Sequence, residues 1–181
     1  MIAEKAKVHA INAHKVVCHK YDNHEYEHHL DMTDLIGKKF IYLIPEKDRS
    51  DVFGGIWEHD TIEDCGLTLN DVVKATNKRV GELAYACTNE KGRTRAERAN
   101  NKYYRGIRNT EYATFVKLCD RIANVTYSLN SKNRMFEMYR KENTHFRRKL
   151  EPWYLKYVRI FGVKGKYDDM WNYLDELLKV K

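Results

Sequence analysis

At 181 residues, with 43% hydrophobic and 12% aromatic content, the chain is long enough to bury a core and too apolar to be disordered. It has no run of 18 apolar residues, and Met1-Ile2-Ala3-Glu4-Lys5 lacks the apolar centre of an export signal, so the reading is a cytoplasmic protein without membrane spans. A formal net charge of +7 points to anionic ligands, either nucleic acid or small phosphorylated molecules, and charge alone does not separate them.

Two prolines, nine glycines and many Lys, Glu, Leu and Ala residues favour helices. The first helix is expected over Ile2–His19, with Ala3, Ala6, Ala10, Ala13 and Val17 on one stripe, and Tyr21-Asp22-Asn23 breaks it. A second is expected over Tyr26–Ile44, stopped by Pro45. A third, capped by Asp48 or Ser50, runs through Val52, Phe53, Ile56 and Trp57 and stops at Cys65-Gly66. Thr68 with Asp71 resembles a capping box opening a helix through Lys78, and another helix reaches about Thr88. After the basic loop at 89–95, helical character returns over Ala96–Arg108. Tyr112–Leu129 is the clearest amphipathic segment, with Phe115, Val116, Leu118, Cys119, Ile122 and Val125 facing inward. One long helix is expected over Lys132–Phe161, bent near Pro152, and a closing helix over Tyr167–Val180 buries Met170, Trp171, Leu174, Leu177 and Leu178. No strand of convincing length, repeat or linker stands out, so the expected architecture is a single all-α domain. The four cysteines are scattered without a C-x-x-C pair, which reads as buried thiols rather than a zinc site.

The chemistry concentrates in Trp57-Glu58-His59-Asp60-Thr61-Ile62-Glu63-Asp64, which holds one histidine and four carboxylates with no lysine or arginine. On a continuous helix His59 and Glu63 share one stripe and Asp60 and Asp64 the next, and like charges at that spacing repel. Burying them becomes sensible with a divalent cation between them. Further ligands must come from other helices. Asp120 sits among Leu118, Cys119 and Ile122, an unusual setting for a surface aspartate, and Asn124 lies one turn on. Of the histidines, His9, His14, His19 and His24 recur every five residues, a rotation of about 140° per step that keeps them off a common helix face. They read as poor joint ligands, several of them on the surface. In Tyr26-Glu27-His28-His29-Leu30, one of His28 and His29 can face inward, and the residues alone leave open which.

The set Tyr26-x-x-His29, then His59-Asp60-Thr61-Ile62-Glu63-Asp64, then Lys117-Leu118-Cys119-Asp120-x-x-x-Asn124 resembles the HD-domain metal-dependent phosphohydrolases. It is most similar to the hydrolase domain of RelA/SpoT-type alarmone enzymes and to the small alarmone hydrolases, over residues about 10 to 130. The resemblance implies His29, His59, Asp60 and Asp120 as ligands of one divalent metal, usually manganese. It further implies Glu63 and Asp64 around the attacking water and Asn124 near the substrate. Asn23-His24-Glu25-Tyr26 stands where the family has a Gly-x-Pro-Tyr lead-in, and Lys20 stands where it often has an arginine, which makes Lys20 a substrate-binding candidate. With no synthetase or regulatory segment following, hydrolysis rather than synthesis of the alarmone is expected.

The mixed nitrogen–oxygen ligand set suits Mn²⁺, Fe²⁺ or Zn²⁺. Glu63 is the expected general base, with Asp64 orienting it. Arg95, Arg98 and Lys102, interleaved with Tyr103 and Tyr104, are expected to grip the phosphates and stack on a base, with Tyr139 and Arg140 closing the pocket. The expected reaction is release of pyrophosphate from a nucleotide 3′-diphosphate, (p)ppGpp or a related alarmone such as (p)ppApp. Two alternatives are a phosphatase acting on the 2′-phosphate of NADPH or on a nucleoside monophosphate, and a non-catalytic nucleic-acid-binding module. The intact metal and water positions weigh against the latter.

Overall fold

The computed structural model describes residues 1–152, 155, 160 and 164–180. In chain order the helices are α1 (Ile2–Val16), α2 (Glu27–Lys39), α3 (Glu46–Glu58), α4 (Thr61–Asp64), α5 (Leu69–Ala75), α6 (Lys78–Cys87), α7 (Arg95–Arg98), α8 (Asn101–Asn109), α9 (Ala113–Asn130), α10 (Met135–Leu150) and α11 (Asp168–Lys179). The fold is all-α. The one strand pairing among the described residues is a hairpin of β1 (Lys20–Tyr21) and β2 (His24–Glu25). No helix among the described residues is long and apolar enough to cross a membrane.

α9 is the axis of the main core. Its Phe115, Val116, Leu118, Cys119, Ile122 and Val125 are all buried, as their spacing predicts. α2, α3, α6, α8, α10 and α11 pack around it. Met170, Trp171, Leu174 and Leu178 of α11 enter the same core, while Leu177 is only partly buried. A smaller cluster joins Ala6 and Ala10 of α1 to Tyr26, Leu30 and Trp57. Of the predicted stripe of α1, Ala6 and Ala10 are buried, Ala3 and Ala13 partly buried and Val17 exposed, and His14, off that stripe, is the third buried residue.

Local chemistry shortens several of the expected helices. α1 ends at Val16 because Cys18 turns into the left-handed region, followed by Asp22 in the hairpin turn. α2 ends at Lys39. Ile41–Leu43 forms a separate 3-10 turn, and Ile44 is extended, as a residue before proline must be. Pro45 then heads α3, so neither Asp48 nor Ser50 caps it. Asp48 is instead buried and bonded to Tyr112 Oη (2.8 Å) and Arg79 Nη1 (2.6 Å), fastening the start of α9 to α3 and α6. The Thr68–Asp71 capping box forms, but its helix stops at Ala75 because Asn77 caps a new one by accepting from Val80 N. Asn100 likewise separates α7 from α8 by accepting from the backbone of Lys102 and Tyr103. α10 begins only after the left-handed Lys132 and ends at Leu150, short of Pro152; the expected continuation to Phe161 falls largely outside the described residues. Of the cysteines, Cys87 and Cys119 are buried, whereas Cys18 is exposed and Cys65 half-buried.

α3 lies close against α6 because it presents bare backbone there. A Cβ on Gly54 would meet Val80 at 2.6 Å, and one on Gly55 would meet Leu83 Cβ at 2.8 Å. The contact matters because α3 carries the candidate site at its end. Gly55→Ala should therefore destabilise the protein by about 1–3 kcal/mol, the usual cost of overpacking a filled core. Gly106→Ala, in the interior of α8 with nothing within 4 Å of the added methyl, should instead add about 0.5–1 kcal/mol. Urea unfolding of the two variants measures both signs.

Candidate metal centre and its cavity

The chain does not run straight through the acidic cluster. α3 stops at Glu58 and α4 restarts at Thr61, leaving His59 and Asp60 in the turn between. Side chains take over the carbonyls there: His59 Nδ1 donates to Ile56 O (2.8 Å) and Thr61 Oγ1 to Glu58 O (2.9 Å). Glu58, fully buried, accepts from Thr61 Oγ1 (2.9 Å) and pairs with His9 Nδ1 (2.8 Å), so this carboxylate is structural. Gly66, at φ +70°, terminates the segment as its position suggests.

His59 and Asp60 meet His29 from α2 and Asp120 from α9. His29 Nε2 lies 3.3 Å from His59 Nε2 and 3.4 Å from Asp120 Oδ1, and Asp60 Oδ2 lies 2.8 Å from His59 Nε2 and 3.7 Å from His29 Nε2. His29 is the inward residue of the pair that the sequence leaves open. The ligand atoms of His29, His59 and Asp120 all fall within 4.8 Å of one another, and the three residues are buried. This cluster could hold a metal ion.

The fit follows from the hydrogen bonds. With Nδ1 donating to a carbonyl, neutral His59 turns a lone pair toward the cluster, where it faces the Asp60 carboxylate. Two acceptors at that separation require a proton or a cation between them. In the metal-free protein the proton supplies it: burial works against the imidazolium, but Asp60 and then Asp120 outweigh it and raise His59 to about 9. Burial likewise opposes both carboxylates, yet His59 holds Asp60, and Lys117 holds Asp120, well below the usual range.

Neighbouring groups hold the cluster in place. Tyr26 Oη donates to Asp60 Oδ2, Lys117 Nζ sits 2.7 Å from Asp120 Oδ2, and Asn124 Nδ2 donates to Asp120 Oδ1. Tyr21 Oη in turn donates to Asn124 Oδ1 (2.8 Å), which ties the hairpin to the site. His29 Nδ1, by contrast, is buried without a hydrogen-bond partner among the described residues. The Lys117–Asp120 spacing of three residues is a signal present in the sequence; the hairpin is not, because each of its strands is two residues long.

The cluster opens into a cavity of about 840 Å³. Of the expected site residues, Asp60, Glu63, Asp64, Arg95, Arg98, Tyr103, Asp120 and Asn124 line it, together with Tyr139. Three expected substrate residues do not. Lys20 is exposed on the hairpin and paired with Glu25, Lys102 pairs with Glu90 (2.9 Å) beside a separate surface hollow, and Arg140 pairs with Glu137 (2.7 Å) on the outer side of α10. Arg121 joins the cavity wall unforeseen. It is buried over the Phe146 ring (4.2 Å) and bonded to Glu142 (3.2 Å), which also accepts from Arg95 Nε (2.8 Å).

The two carboxylates that follow His59 and Asp60 differ. Glu63 accepts from both the backbone and the side-chain nitrogen of Asn89 (3.1 and 2.9 Å). Asp64 is pushed up to about 7 by burial and then by Asp60 and Glu63. A second pair of histidines packs nearby: His14 and His19, their Nδ1 atoms 3.0 Å apart, stack on Tyr26, with His14 buried, His19 half-buried and His24 left on the surface.

Comparison of the chain with protein-family models, with curated proteins and with solved structures returned no match.

Metal binding should discriminate the two adjacent histidines. Elemental analysis after Mn²⁺ loading and desalting should find about one ion per chain in the native protein and in His28→Ala, and little in His29→Ala or His59→Ala. Equal metal content in all four proteins would remove these residues from the centre.

Proposed function

We propose that the protein is a metal-dependent phosphohydrolase of the HD type that cleaves a nucleotide 3′-diphosphate such as (p)ppGpp or (p)ppApp, releasing pyrophosphate. The observation that carries this reading is the convergence of His29, His59, Asp60 and Asp120, from three separate parts of the chain, at the base of a cavity rimmed by arginine and lysine. The cavity volume falls within the range of roughly 300–1,000 Å³ common for small-molecule sites, which favours a nucleotide over a nucleic-acid polymer. Mn²⁺ is the cation assigned, with Fe²⁺ and Zn²⁺ also suited to two imidazoles and two carboxylates.

A divalent cation supplies Lewis acidity at such a site, polarising a phosphoryl oxygen and acidifying a nearby water. The chain's own groups provide the remaining steps. Water adds to the phosphorus that is bonded to the ribose 3′-oxygen, and the bond from that phosphorus to the 3′-oxygen breaks. Asp64 takes the proton from the water and returns it to the departing 3′-oxygen, a role suited to a carboxyl group titrating near 7. This exchanges the roles expected from sequence, because Glu63 is engaged by Asn89 and serves to hold the loop after α6 against α4. Lys117 and Asn124 keep Asp120 oriented, and Arg95 and Arg98 line the same cavity from α7, where they offer charge to a phosphorylated ligand.

Product analysis tests the reading. Incubation of adenosine or guanosine 3′-diphosphates with the protein and Mn²⁺ should give pyrophosphate and a nucleotide with a free 3′-hydroxyl. Orthophosphate as the only product, or faster turnover of NADPH or nucleoside monophosphates, would reassign the site to a phosphatase. Asp64→Asn should lower kcat by roughly 10²–10⁴ at unchanged metal content, the usual loss for a positioned acid–base group. Glu63→Gln should lower it less, and the reverse order would restore Glu63 as the base.

A further inference from the structure

Six cationic side chains line the cavity: Arg95, Arg98, Lys117, Arg121, Lys141 and Lys149. Three are already paired with acids, Arg95 and Arg121 sharing the single carboxylate of Glu142 and Lys117 meeting Asp120. Arg98, Lys141 and Lys149 have no carboxylate within 4 Å among the described residues; the ammonium of Lys149 donates to the neutral Asn101 Oδ1 (2.6 Å). Lys141, His145 and Lys149 stand at successive i,i+4 positions of α10, so they form one stripe along the cavity wall. No acid lies between the two lysines on this stripe, so it presents positive charge to the cavity and suits an anion there.

The stripe also has a direction. Its end near the start of α10 adjoins Tyr139, which shares a second hollow with Asn124 and so lies toward the His/Asp cluster. Its other end, at Lys149, is fastened to Asn101 at the start of α8. From Lys141 to Lys149 the helix rises about 12 Å. The carboxylates Asp60, Asp64 and Asp120 crowd the opposite part of the cavity, where an anion enters only with a cation present.

We infer that Arg98, Lys141 and Lys149 form a second phosphate subsite, separate from the metal cluster, that takes the 5′-phosphates of the nucleotide whose 3′-phosphates are cleaved. This rests on the proposed hydrolysis only for the identity of the group at the other end; the subsite itself requires no metal. It makes the enzyme selective for nucleotides phosphorylated at both ends of the ribose over those with a free 5′-hydroxyl.

The test uses adenosine 5′-diphosphate, which lacks any 3′-phosphate, titrated calorimetrically into the full chain in the presence of chelator. The native protein should bind it, more weakly as salt rises. Lys141→Ala/Lys149→Ala should raise Kd by about tenfold or more, and Lys141→Glu/Lys149→Glu by more still. In parallel, the native protein's kcat/KM for a 3′-diphosphate should be about tenfold higher with 5′-phosphates than with a 5′-hydroxyl, a preference the double alanine variant loses. Absence of binding by the native protein, or binding that both double variants retain, overturns the subsite. Lysine-dependent binding without release of pyrophosphate from any 3′-diphosphate would uphold the subsite and reject the proposed hydrolysis. Pyrophosphate release that ignores the 5′ group and both lysines would do the opposite.

Discussion

Two imidazole nitrogens, each within 4 Å of both carboxylates, demand positive charge among them. In a buried setting an unpaired carboxylate is far costlier than in water. Without a metal the demand is met by a proton on His59 and by the Lys117 ammonium on Asp120. A divalent cation held by these groups would meet it more completely and would take the place of the ring proton. Much of the surrounding structure serves to hold these donors in place: the break between α3 and α4, the Tyr26 and Asn124 hydrogen bonds, and the glycine face that lets α3 lie on α6.

The same charge accounting divides the cavity. Near the cluster, acids outnumber what Lys117 can balance, so that end attracts a cation first and an anion afterwards. Along α10 the excess is positive and is not consumed by neighbouring acids among the described residues. Glu142 keeps the two regions distinct, because it pins Arg95 and Arg121 together and draws α10 toward α7 and α9. A ligand with anionic groups at two separated points matches this polarity better than a single phosphate does.

Much of this was legible in the residues. The buried stripe of α9 followed from its 3.6-residue period, and a charged aspartate within that stripe singled out Asp120 before any geometry was known. The helix ends were harder, because they depend on single side chains competing for backbone groups. Asn77 and Asn100 begin new helices where periodicity continues unbroken, and Thr61 and His59 capture carbonyls that a continuous helix would have used. Lys20, Lys102 and Arg140 were misplaced for a different reason: composition brings basic residues near the motif, but each finds its own acid locally and turns away. Conversely, Glu58 looked like part of the acidic site, and only the packing of α1 on α3 reveals His9 as its partner. Long-range pairing of this kind leaves no periodic trace.

The claim on which the rest depends is that His29 and His59 both coordinate one cation in the company of Asp60 and Asp120. Pulsed electron paramagnetic resonance of the protein loaded with one equivalent of Mn²⁺ measures this directly, since imidazole nitrogens bound to the ion modulate the echo. The account predicts nitrogen coupling from two imidazoles in the native protein, reduced to one in His29→Ala or His59→Ala if ion is retained. A spectrum of Mn²⁺ with oxygen ligands alone, unchanged by either substitution, would contradict it.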